Sequence, residues 1–517
     1  MRPPLPSSRQ QLCCLVTVGS MVLGTAVADA ASDLLLSDEA TPWEEIGEDF
    51  LKRPAPVTEV IEDLVFESNR ERKEIIEERN RTGEDLEAPE RKTLFGKNPF
   101  LAPGSIIPGF EMPGGAVWQP SVIIYGTFRT ALQSYDNGLR NVSEWANRLD
   151  LFTNIYLTPT ERILFSIRPL DTGGNFTSYR FNNPDGYNSH LNGRIRSLYF
   201  EGDFGELFPN LDPNDTKSLD YGFAVGRMPL NFQDGIMIND SVDAIGITRA
   251  SMFQFGASAS RLTGLVSWGQ INRGNNLGGV SFEDNGATLF GLFYAADYSK
   301  STYEVDLAYV DGGSSIAGDG LYFGVGQTRR FGKINSTLRA NFSWALDGDN
   351  ANAGGIQFVD DGTLLFSQLS RTMDYNYDIA YVNTFVGFGN YTSAARDPST
   401  GGPVGGINGL LFGAVGLGEY GTALSNQTNE AVGMAIGYQH FLDGQFSKRQ
   451  ISGEIGGRIS LDGNSRSGAG VSARYQHGLD QHSIIRVEGF FGVYDDSNIR
   501  RGVQTGAGLR CEWMYQF

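Results

Sequence analysis

The last nine residues of the chain constrain its fold more than any other stretch. Read with a period of two, one set of alternate positions is apolar and the set between them is mostly polar. The apolar positions are Leu509, Cys511, Trp513, Tyr515 and Phe517. A β-strand places these side chains on one face, and a soluble protein rarely ends on an exposed aromatic stripe. A transmembrane β-barrel explains the pattern, because one face of each strand meets lipid and aromatic residues lie at the bilayer interface.

This ending resembles the C-terminal strand of bacterial outer-membrane proteins, whose terminal Phe is part of the signal read by the barrel-insertion machinery. The resemblance implies that this machinery recognises Trp513, Tyr515 and Phe517 during assembly. It also implies that outer-membrane lipid surrounds the folded chain.

The N-terminus predicts export. Arg2 and Arg9 precede an apolar run over residues 12–28, and the run ends in Ala-Asp-Ala. A basic start, a short apolar segment and small residues at its end are typical of a secretory signal peptide, which we place at residues 1–30. No later stretch approaches the ~20 continuous apolar residues of a spanning helix. We therefore expect a bacterial outer-membrane location.

Residues 31–117 form an acidic, periplasmic extension in front of the predicted barrel. They hold 20 Asp and Glu against 10 Lys and Arg, within a chain whose net charge is −19. Apolar residues at helical spacing predict a helix near 57–81, and Pro and Gly residues over 82–117 predict a linker. The helix is either solvated or an assembly helix that docks on a partner. Clustered excess base is absent, which disfavours nucleic-acid binding.

From Trp118 onward the sequence consists of short segments in which apolar and polar residues alternate. Short connections such as 158–161 contrast with long, Gly-rich ones such as 394–409, as in outer-membrane barrels. At ~10 residues per strand, residues 118–517 predict an all-β, transmembrane antiparallel β-barrel of about 16–18 strands. A β-propeller or a β-sandwich is the soluble alternative, but neither explains outward aromatic stripes in an exported chain.

The alternation also predicts which side chains form the apolar face of each strand. Leu289 and Phe293 precede a short turn, and Tyr303 and Leu307 follow it. We predict that all four belong to the apolar faces of their strands.

The stretch from 224 to 249 has the most distinctive sequence in the predicted barrel. It contains Gly-Arg-Met-Pro-Leu-Asn-Phe-Gln-Asp-Gly at 226–235. This resembles a Gly-Arg-x-x-Leu-x-Phe-x-Asp-Gly stretch of large outer-membrane channels, including the alginate-export type and related porins, in which an inward loop with opposed charges narrows the pore. The resemblance implies that the constriction is lined by Arg227, Asp234, Asp240, Asp243 and Arg249. The alternative is a strand–loop–strand held by an Arg–Asp pair inside the lumen.

Charged residues on the polar phase of the strands are expected to face the lumen, because an arginine at the lipid midplane costs ~2–4 kcal/mol. The lumen-charge candidates are Arg129, Arg339, Arg486, Glu488 and Arg510. A wall lined by arginine favours anions or acidic sugars. Acidic residues share the same phase, however, and we favour the alternative in which lumen charges pair across neighbouring strands.

Catalysis finds little support in the sequence. The four His residues lack metal-ligand spacing, and no Gly-x-Ser-x-Gly motif is present. We expect neither an enzyme nor a bound cofactor or metal. The predicted function is passive diffusion of small hydrophilic solutes, anionic or saccharide, through a channel that assembles as a homo-oligomer or acts alone. The competing hypothesis is a structural or assembly barrel that anchors or sheathes a partner through residues 31–117.

Overall fold

The computed structural model describes the region predicted to form the barrel. The described residues are 94–95, 109–182, 184–214, 216–274, 281–312, 318–346, 358–373, 377–406, 409–442, 448–495 and 502–517. The chain divides into two compact units, 1–90 and 91–517, and all described residues belong to the second. The predicted signal peptide and the predicted helix near 57–81 lie outside the described residues.

Within the described ranges, 18 antiparallel strands close into a barrel. In chain order they are β1 (Ser121–Asp136), β2 (Asn141–Tyr156), β3 (Arg162–Ile167), β4 (Ile195–Asp203), β5 (Gly222–Phe232), β6 (Ile238–Ala250), β7 (Ala259–Gly269), β8 (Thr288–Tyr298), β9 (Ser301–Asp311), β10 (Gly320–Phe331), β11 (Ile334–Ala345), β12 (Gly362–Thr372), β13 (Ile379–Gly389), β14 (Ala431–Phe441), β15 (Arg449–Ser460), β16 (Ser467–Gly478), β17 (Ser483–Asp495) and β18 (Val503–Gln516). Neighbours in the barrel follow the order of the chain.

The barrel closes where its last strand pairs with its first. The register runs from Ala507 opposite Asp136 to Gln516 opposite Thr127, so neither strand leaves an open sheet edge there. The prediction of an all-β transmembrane barrel with 16–18 strands is therefore confirmed, with 18 strands.

Short elements precede β1 and occupy the connections between the barrel strands. The short strands are Phe110–Glu111, Val117–Trp118, Asp171–Thr172, Asn175–Arg180, Gly186–Asn188, Ile271–Gly274, Ser281–Asp284 and Ala395–Arg396. One α-helical turn spans Phe204–Leu207, and 3-10 turns span Pro209–Leu211 and Pro398–Thr400. No helix in the described part of the chain is long and apolar enough to cross a membrane.

The two ends of the barrel differ in the length of their connections. The end that carries the C-terminus has two-residue turns at 299–300 and 332–333, whereas the opposite end carries the long connection 390–430. Outer-membrane barrels place short turns in the periplasm and long loops outside the cell. We therefore call these the periplasmic end and the extracellular end.

The outer face of β18 shows the alternation that a lipid-facing strand requires. Leu509 is 63% exposed and Trp513 is 40% exposed, whereas Arg510 and Glu512 between them are each 1% exposed. The rings of Trp513, Tyr515 and Phe517 follow one another toward the periplasmic end. An aromatic girdle lies at this interface in outer-membrane barrels.

The predicted phase of β8 is wrong. Leu289 is fully buried and Phe293 is 4% exposed, while Leu292 is 49% exposed. The two-residue turn places Leu292 opposite Leu307 and Phe293 opposite Asp306. The apolar outer face of β9 therefore continues into Leu292, and Leu289 and Phe293 face the lumen.

The core of the molecule lies inside the barrel, where lumen-facing side chains pack against inward-folded segments. One apolar cluster includes Leu289, Phe293, Met237 and Ile238. A second includes Phe366, Phe490, Ile236 and Leu411. Protein rather than water fills these parts of the lumen, which explains why apolar residues of β8 point inward.

Candidate functional site

Two segments fold from the extracellular end into the lumen and meet there. We call residues 232–238, between β5 and β6, the inner hairpin tip, and residues 390–430, between β13 and β14, the inner loop. A short parallel ladder joins the strand that follows the tip to the loop. The paired residues are Ile238 with Ala395 and Asn239 with Arg396. The two segments therefore form one hydrogen-bonded unit.

Arg396 is the polar centre of this unit. Its guanidinium donates to the carbonyl oxygens of Gly235, Ile236 and Gly402, at 3.1 Å from Ile236 and 3.2 Å from Gly402. Burial lowers the pKa of Arg396 to about 10, which leaves the side chain charged at neutral pH. The charge is thus matched by carbonyl groups from both segments at a site that is 6% exposed.

Asp397 ties the inner loop to the barrel wall. Its carboxylate pairs with the Arg196 guanidinium of β4 and accepts hydrogen bonds from the N–H and hydroxyl groups of Ser399. Burial raises the pKa of Asp397, but the Arg196 charge and these hydrogen bonds hold the pKa below its usual range. Asp397 is therefore ionised at neutral pH and anchors the beginning of the loop.

Further contacts hold the second half of the inner loop beside the wall. The Glu454 carboxylate of β15 accepts the backbone N–H groups of Leu410 at 2.6 Å and Leu411 at 3.1 Å. Gly418 has a φ of +64°, and a Cβ atom there would overlap Gln133 and Glu144. Only glycine fits this position, so the loop backbone approaches β1 and β2 closely.

A ladder of alternating charges crosses the wall that faces this half of the loop. It consists, in order, of Arg474, Glu488, Arg510, Glu512 and Arg129. The ion-pair distances are 2.6 Å for Arg474–Glu488, 2.7 Å for Arg510–Glu488 and 2.5 Å for Arg129–Glu512. The strand register builds the ladder, because Arg474 lies opposite Glu488 and Glu488 lies opposite Arg510.

Basic residues outnumber acidic ones on this wall. Among the described residues, the wall charges that form ion pairs with one another are Arg129, Arg148, Arg168, Arg474, Arg486, Arg510, Asp150, Asp171, Glu488 and Glu512. We call this set the arginine wall, and its formal charge is +2. Two of its members also reach the inner loop, since Arg129 donates to the Val415 carbonyl at 3.2 Å and Arg148 to the Gly416 carbonyl at 2.7 Å.

A cavity of about 300 Å³ lies between the arginine wall and the inner loop. Its charged lining is Arg129, Arg474, Arg486, Arg510 and Glu488, and the loop contributes five glycines, four aliphatic residues and Tyr420. The side chains of Arg474 and Arg486 are 27% and 21% exposed. Within the described ranges, the Ser472 hydroxyl and Arg510 Nε have no hydrogen-bond partner. The partly exposed guanidinium groups of Arg474 and Arg486 therefore offer donors to an anion in the cavity.

The opposite side of the lumen carries the reverse charge. Arg339 of β11 pairs with Asp234 of the inner hairpin tip at 2.5 Å and with Glu304 of β9. Gln233 donates to Asp306 at 2.7 Å. These three carboxylates and one arginine, which we call the acidic cluster, have a formal charge of −2. An anion in the lumen is therefore drawn away from this side and toward the arginine wall.

Three of the five constriction candidates are spread over different depths. Asp234 lies at the inner hairpin tip with its side chain 54% exposed. Asp240 faces the lumen but is 3% exposed and accepts the backbone N–H of Asn272 at 2.8 Å. Arg249 lies near the periplasmic end, where its guanidinium stands 4.5 Å from the centre of the Tyr221 ring. Only Asp234 of these three is exposed to the lumen beside the inner hairpin.

Arg227 and Asp243 form a pair on the outward phase of their strands. Their two hydrogen bonds measure 2.8 and 2.9 Å. Arg227 lies opposite the exposed Leu198, and its partner Asp243 is two residues from the exposed Ile245 on the same face of β6. This face is therefore directed away from the lumen. Arg227 also donates to the Ile195 carbonyl at 3.1 Å, where β4 begins. The pair marks the point at which the hairpin leaves the wall.

The lumen-charge candidates divide between the two sides. Arg129, Arg486, Glu488 and Arg510 belong to the arginine wall, and Arg339 belongs to the acidic cluster. Sequence reasoning missed the inner loop as the second side of the cavity, although its Gly-rich composition without strand alternation was a usable signal. In the described part of the chain, no group of three or more His, Cys, Asp or Glu residues is placed to hold a metal ion.

Neither a family model nor a curated protein matches the chain, but solved structures do. The chain is similar to OccAB3 of Acinetobacter baumannii, with a TM-score of 0.50 and 10% identity over 77% of this chain and 99% of that one. A BenF-like porin from Pseudomonas fluorescens Pf-5 has a TM-score of 0.49 and 10% identity over 77% and 98%. OccK2 (OpdF) of Pseudomonas aeruginosa, in complex with glucuronate, has a TM-score of 0.49 and 9% identity over 77% and 98%. At this identity the likeness to OccAB3 concerns the fold, and the fold is that of a bacterial outer-membrane porin.

Proposed function

We propose that this protein is an outer-membrane channel through which small hydrophilic anions diffuse passively. The observation that carries the proposal is the cavity between the arginine wall and the inner loop. Four arginines and a single carboxylate, Glu488, line a space of about 300 Å³, which is large enough for a small organic anion. A porin fold with 18 strands supports the same function, because a barrel of that size encloses a lumen too wide for its own side chains to fill.

The paired state of the arginines suits transport rather than tight binding. Arg474 and Arg510 already contact Glu488, so a passing anion gains attraction without meeting bare charges that would trap it. Conduction requires binding that is favourable enough for entry and weak enough for release. The acidic cluster on the opposite side adds a field across the lumen that directs anions along the arginine wall.

Reversal potentials in planar bilayers under a salt gradient test this proposal. We expect the full-length protein to conduct and to prefer anions, and we expect the double variant Arg474→Gln/Arg486→Gln to lose most of that preference. Arg329→Gln/Arg371→Gln is the matched control, since it removes two exposed arginines that the strand register of β10, β11 and β12 places on the outer face of the barrel. A cation-selective wild-type channel contradicts the proposal. A barrel that conducts no ions favours instead the structural or assembly barrel that docks through residues 31–117.

Block of the ionic current tests the class of solute. We expect small carboxylates and acidic sugars to reduce the current, and a neutral sugar of the same size to reduce it less, because only the former meet the guanidinium groups. The difference between the two solutes should disappear in the Arg474→Gln/Arg486→Gln variant. Equal block by both solutes in the wild type removes the anionic part of the proposal.

We also propose that the aromatic C-terminus is the part that the barrel-insertion machinery recognises. The Gly126 N–H donates to the Phe517 carbonyl at 2.7 Å, and the Phe517 N–H donates to the Gly126 carbonyl at 3.0 Å, so the last residue completes the seam. Phe517→Ser should lower the yield of heat-modifiable, assembled barrel in membranes while refolding in detergent continues. An unchanged yield in membranes contradicts recognition through this residue.

A further inference from the structure

A group of exposed cations and one aromatic ring lies at the periplasmic end of the barrel. Arg329 and Phe331 lie at the end of β10, Arg371 lies at the end of β12, and Lys300 occupies the turn between β8 and β9. All four residues are exposed. We call them the basic patch.

The strand register directs the two arginines of the basic patch outward. Phe331, which is 47% exposed, lies opposite Ile334, and Ile334 lies opposite Arg371. Arg329 is two residues from Phe331 and shares its face, with its guanidinium 4.6 Å from the centre of the Phe331 ring. Two inter-strand spacings, about 10 Å, separate the backbones of Phe331 and Arg371. The guanidinium groups therefore flank apolar surface on the lipid-facing side.

The cations of the basic patch are not matched by carboxylates as the arginine wall is. Within the described part of the chain, Lys300, Arg329 and Arg371 take part in no ion pair. Asp297, beside Lys300, lies on the lumen phase and accepts the Thr302 hydroxyl. The remaining acidic residues of the neighbouring turns are Asp374, which lies outside the described residues, and Asp378, which accepts hydrogen bonds from Tyr438 and His440.

We propose that the basic patch binds the phosphate-bearing headgroup of anionic phospholipids in the periplasmic leaflet of the outer membrane. Arginine guanidinium groups match phosphate oxygens in charge and geometry. Clustered cations beside a membrane-spanning segment attract anionic lipid, and the exposed Phe331 ring between them suits the boundary between headgroups and acyl chains. A free phosphate ion has no apolar part to fill that surface, so the lipid is the better match. This proposal is independent of the proposed channel function.

Two lumen-phase arginines at the same end provide the control. Arg330 is adjacent to Arg329 but faces the other way, and its Nε donates to the Gly332 carbonyl at 3.0 Å. Arg261 near the start of β7 lies opposite Ala295, on the lumen phase that includes Phe293. Arg261→Gln/Arg330→Gln therefore removes the same charge from the same end of the barrel as Arg329→Gln/Arg371→Gln, without touching the lipid-facing side.

Lipid retention by the purified full-length protein tests the proposal. Mixed micelles would contain phosphatidylglycerol and phosphatidylethanolamine with the same acyl chains, and native mass spectrometry would count the lipid molecules that stay bound. We expect the wild type to retain phosphatidylglycerol in preference. Arg329→Gln/Arg371→Gln should reduce the preference by roughly an order of magnitude, since each cation near an anionic lipid surface contributes a few-fold in affinity. Arg261→Gln/Arg330→Gln should keep it.

Three outcomes overturn the proposal. The first is a wild type without preference for phosphatidylglycerol, and the second is an equal loss of that preference in both double variants. The third is competition by free inorganic phosphate or by an acidic poly-glutamate peptide that is as strong as competition by phosphatidylglycerol. The last result assigns the patch to free phosphate or to an acidic protein instead. Salt provides a measurement that needs no variant, because the wild-type preference for phosphatidylglycerol must fall as ionic strength rises. A preference that does not change with salt also overturns the proposal.

Discussion

The two sides of the lumen differ in what their inward side chains meet. On the arginine wall the inward positions hold charges such as Arg474 and Glu488, which border the cavity. On β5 to β9 the inward positions outside the acidic cluster include Met228, Leu289 and Phe293, which pack on the inner hairpin tip. Both sides use the same alternation of a β-strand. The lumen phase therefore takes its chemistry from its neighbour, which is a cavity with charged lining on one side and the packed inner hairpin tip on the other.

Because of this difference, we expect the apolar side to set the geometry of the channel and the arginine wall to set its selectivity. Phe232 of the inner hairpin tip stacks on Phe293 with 3.5 Å between ring centres, and Met237 is fully buried, so the apolar side fixes where the inward segments lie. The arginine wall contributes the charge that an ion experiences. Changes on the apolar side should therefore alter the size of the channel, and changes on the arginine wall should alter its selectivity.

The largest effect is expected from Met237→Asp. An ionised carboxylate in this apolar cluster would be unpaired, at a cost of ~3–5 kcal/mol, so the inner hairpin tip should leave its site. Single-channel conductance should then rise. Asn231→Asp adds the same charge at an exposed position of the same hairpin and should leave the conductance near the wild-type value. A wild-type conductance in the Met237→Asp channel contradicts a hairpin tip held by apolar packing.

A smaller effect is expected from Arg396→Met, which removes the charge between the two inward segments. The carbonyl groups of Gly235, Ile236 and Gly402 lose their donor, and we expect a loss of roughly 3 kcal/mol in the stability of the packed loop. Open-channel current noise and protease cleavage within 390–430 should both increase. Arg330→Met, at an exposed position, serves as the control. Equal cleavage in the two variants would show that Arg396 does not hold the two segments together.

Gly418→Ala should have a more local effect on the loop side of the cavity. The added methyl group overlaps Gln133 and Glu144, and alanine disfavours a φ of +64°, so we expect a cost of about 1–3 kcal/mol. The loop should shift away from the arginine wall, and anion preference should fall while conductance rises slightly. Gly453→Ala is the matched control, because a Cβ atom there meets nothing within 4 Å. Identical reversal potentials for the two variants would show that loop position does not set selectivity.

The barrel itself was predictable because lipid imposes a strict rule on the outer phase. Alternation placed Leu509 outward and Arg510 inward, and the structure has both. The same reasoning failed at β8, because an inward-folded segment allows apolar residues on both faces and the alternation loses its meaning there. Phe293 is as apolar as its lipid-facing neighbour Leu292, and the sequence of β8 contains no sign of the hairpin that covers it.

Strand phase assigns single residues to the lumen side of their strands but does not show which of them meet. Arg129, Arg486, Glu488 and Arg510 follow from strand phase alone, whereas their meeting depends on closure of the barrel. Arg129 and Glu512 are 383 positions apart in the chain and pair only because β1 lies beside β18. The inner loop, which has no periodic pattern, offers even less to local reasoning, since glycine-rich backbone takes its position from the walls that it touches.

Arg227→Gln should have the smallest effect, and it separates the sequence-based hypothesis from the structural one. If Arg227 lines the constriction, its loss should change the reversal potential as strongly as Arg474→Gln/Arg486→Gln does. The structure places Arg227 on the outward phase, paired with Asp243, with side-chain exposures of 23% and 28%. Loss of such a partly exposed pair costs at most about 1 kcal/mol. We therefore expect an unchanged reversal potential and a slightly lower midpoint of thermal unfolding. A large shift in reversal potential would return this pair to the pore and move the selectivity site away from the arginine wall.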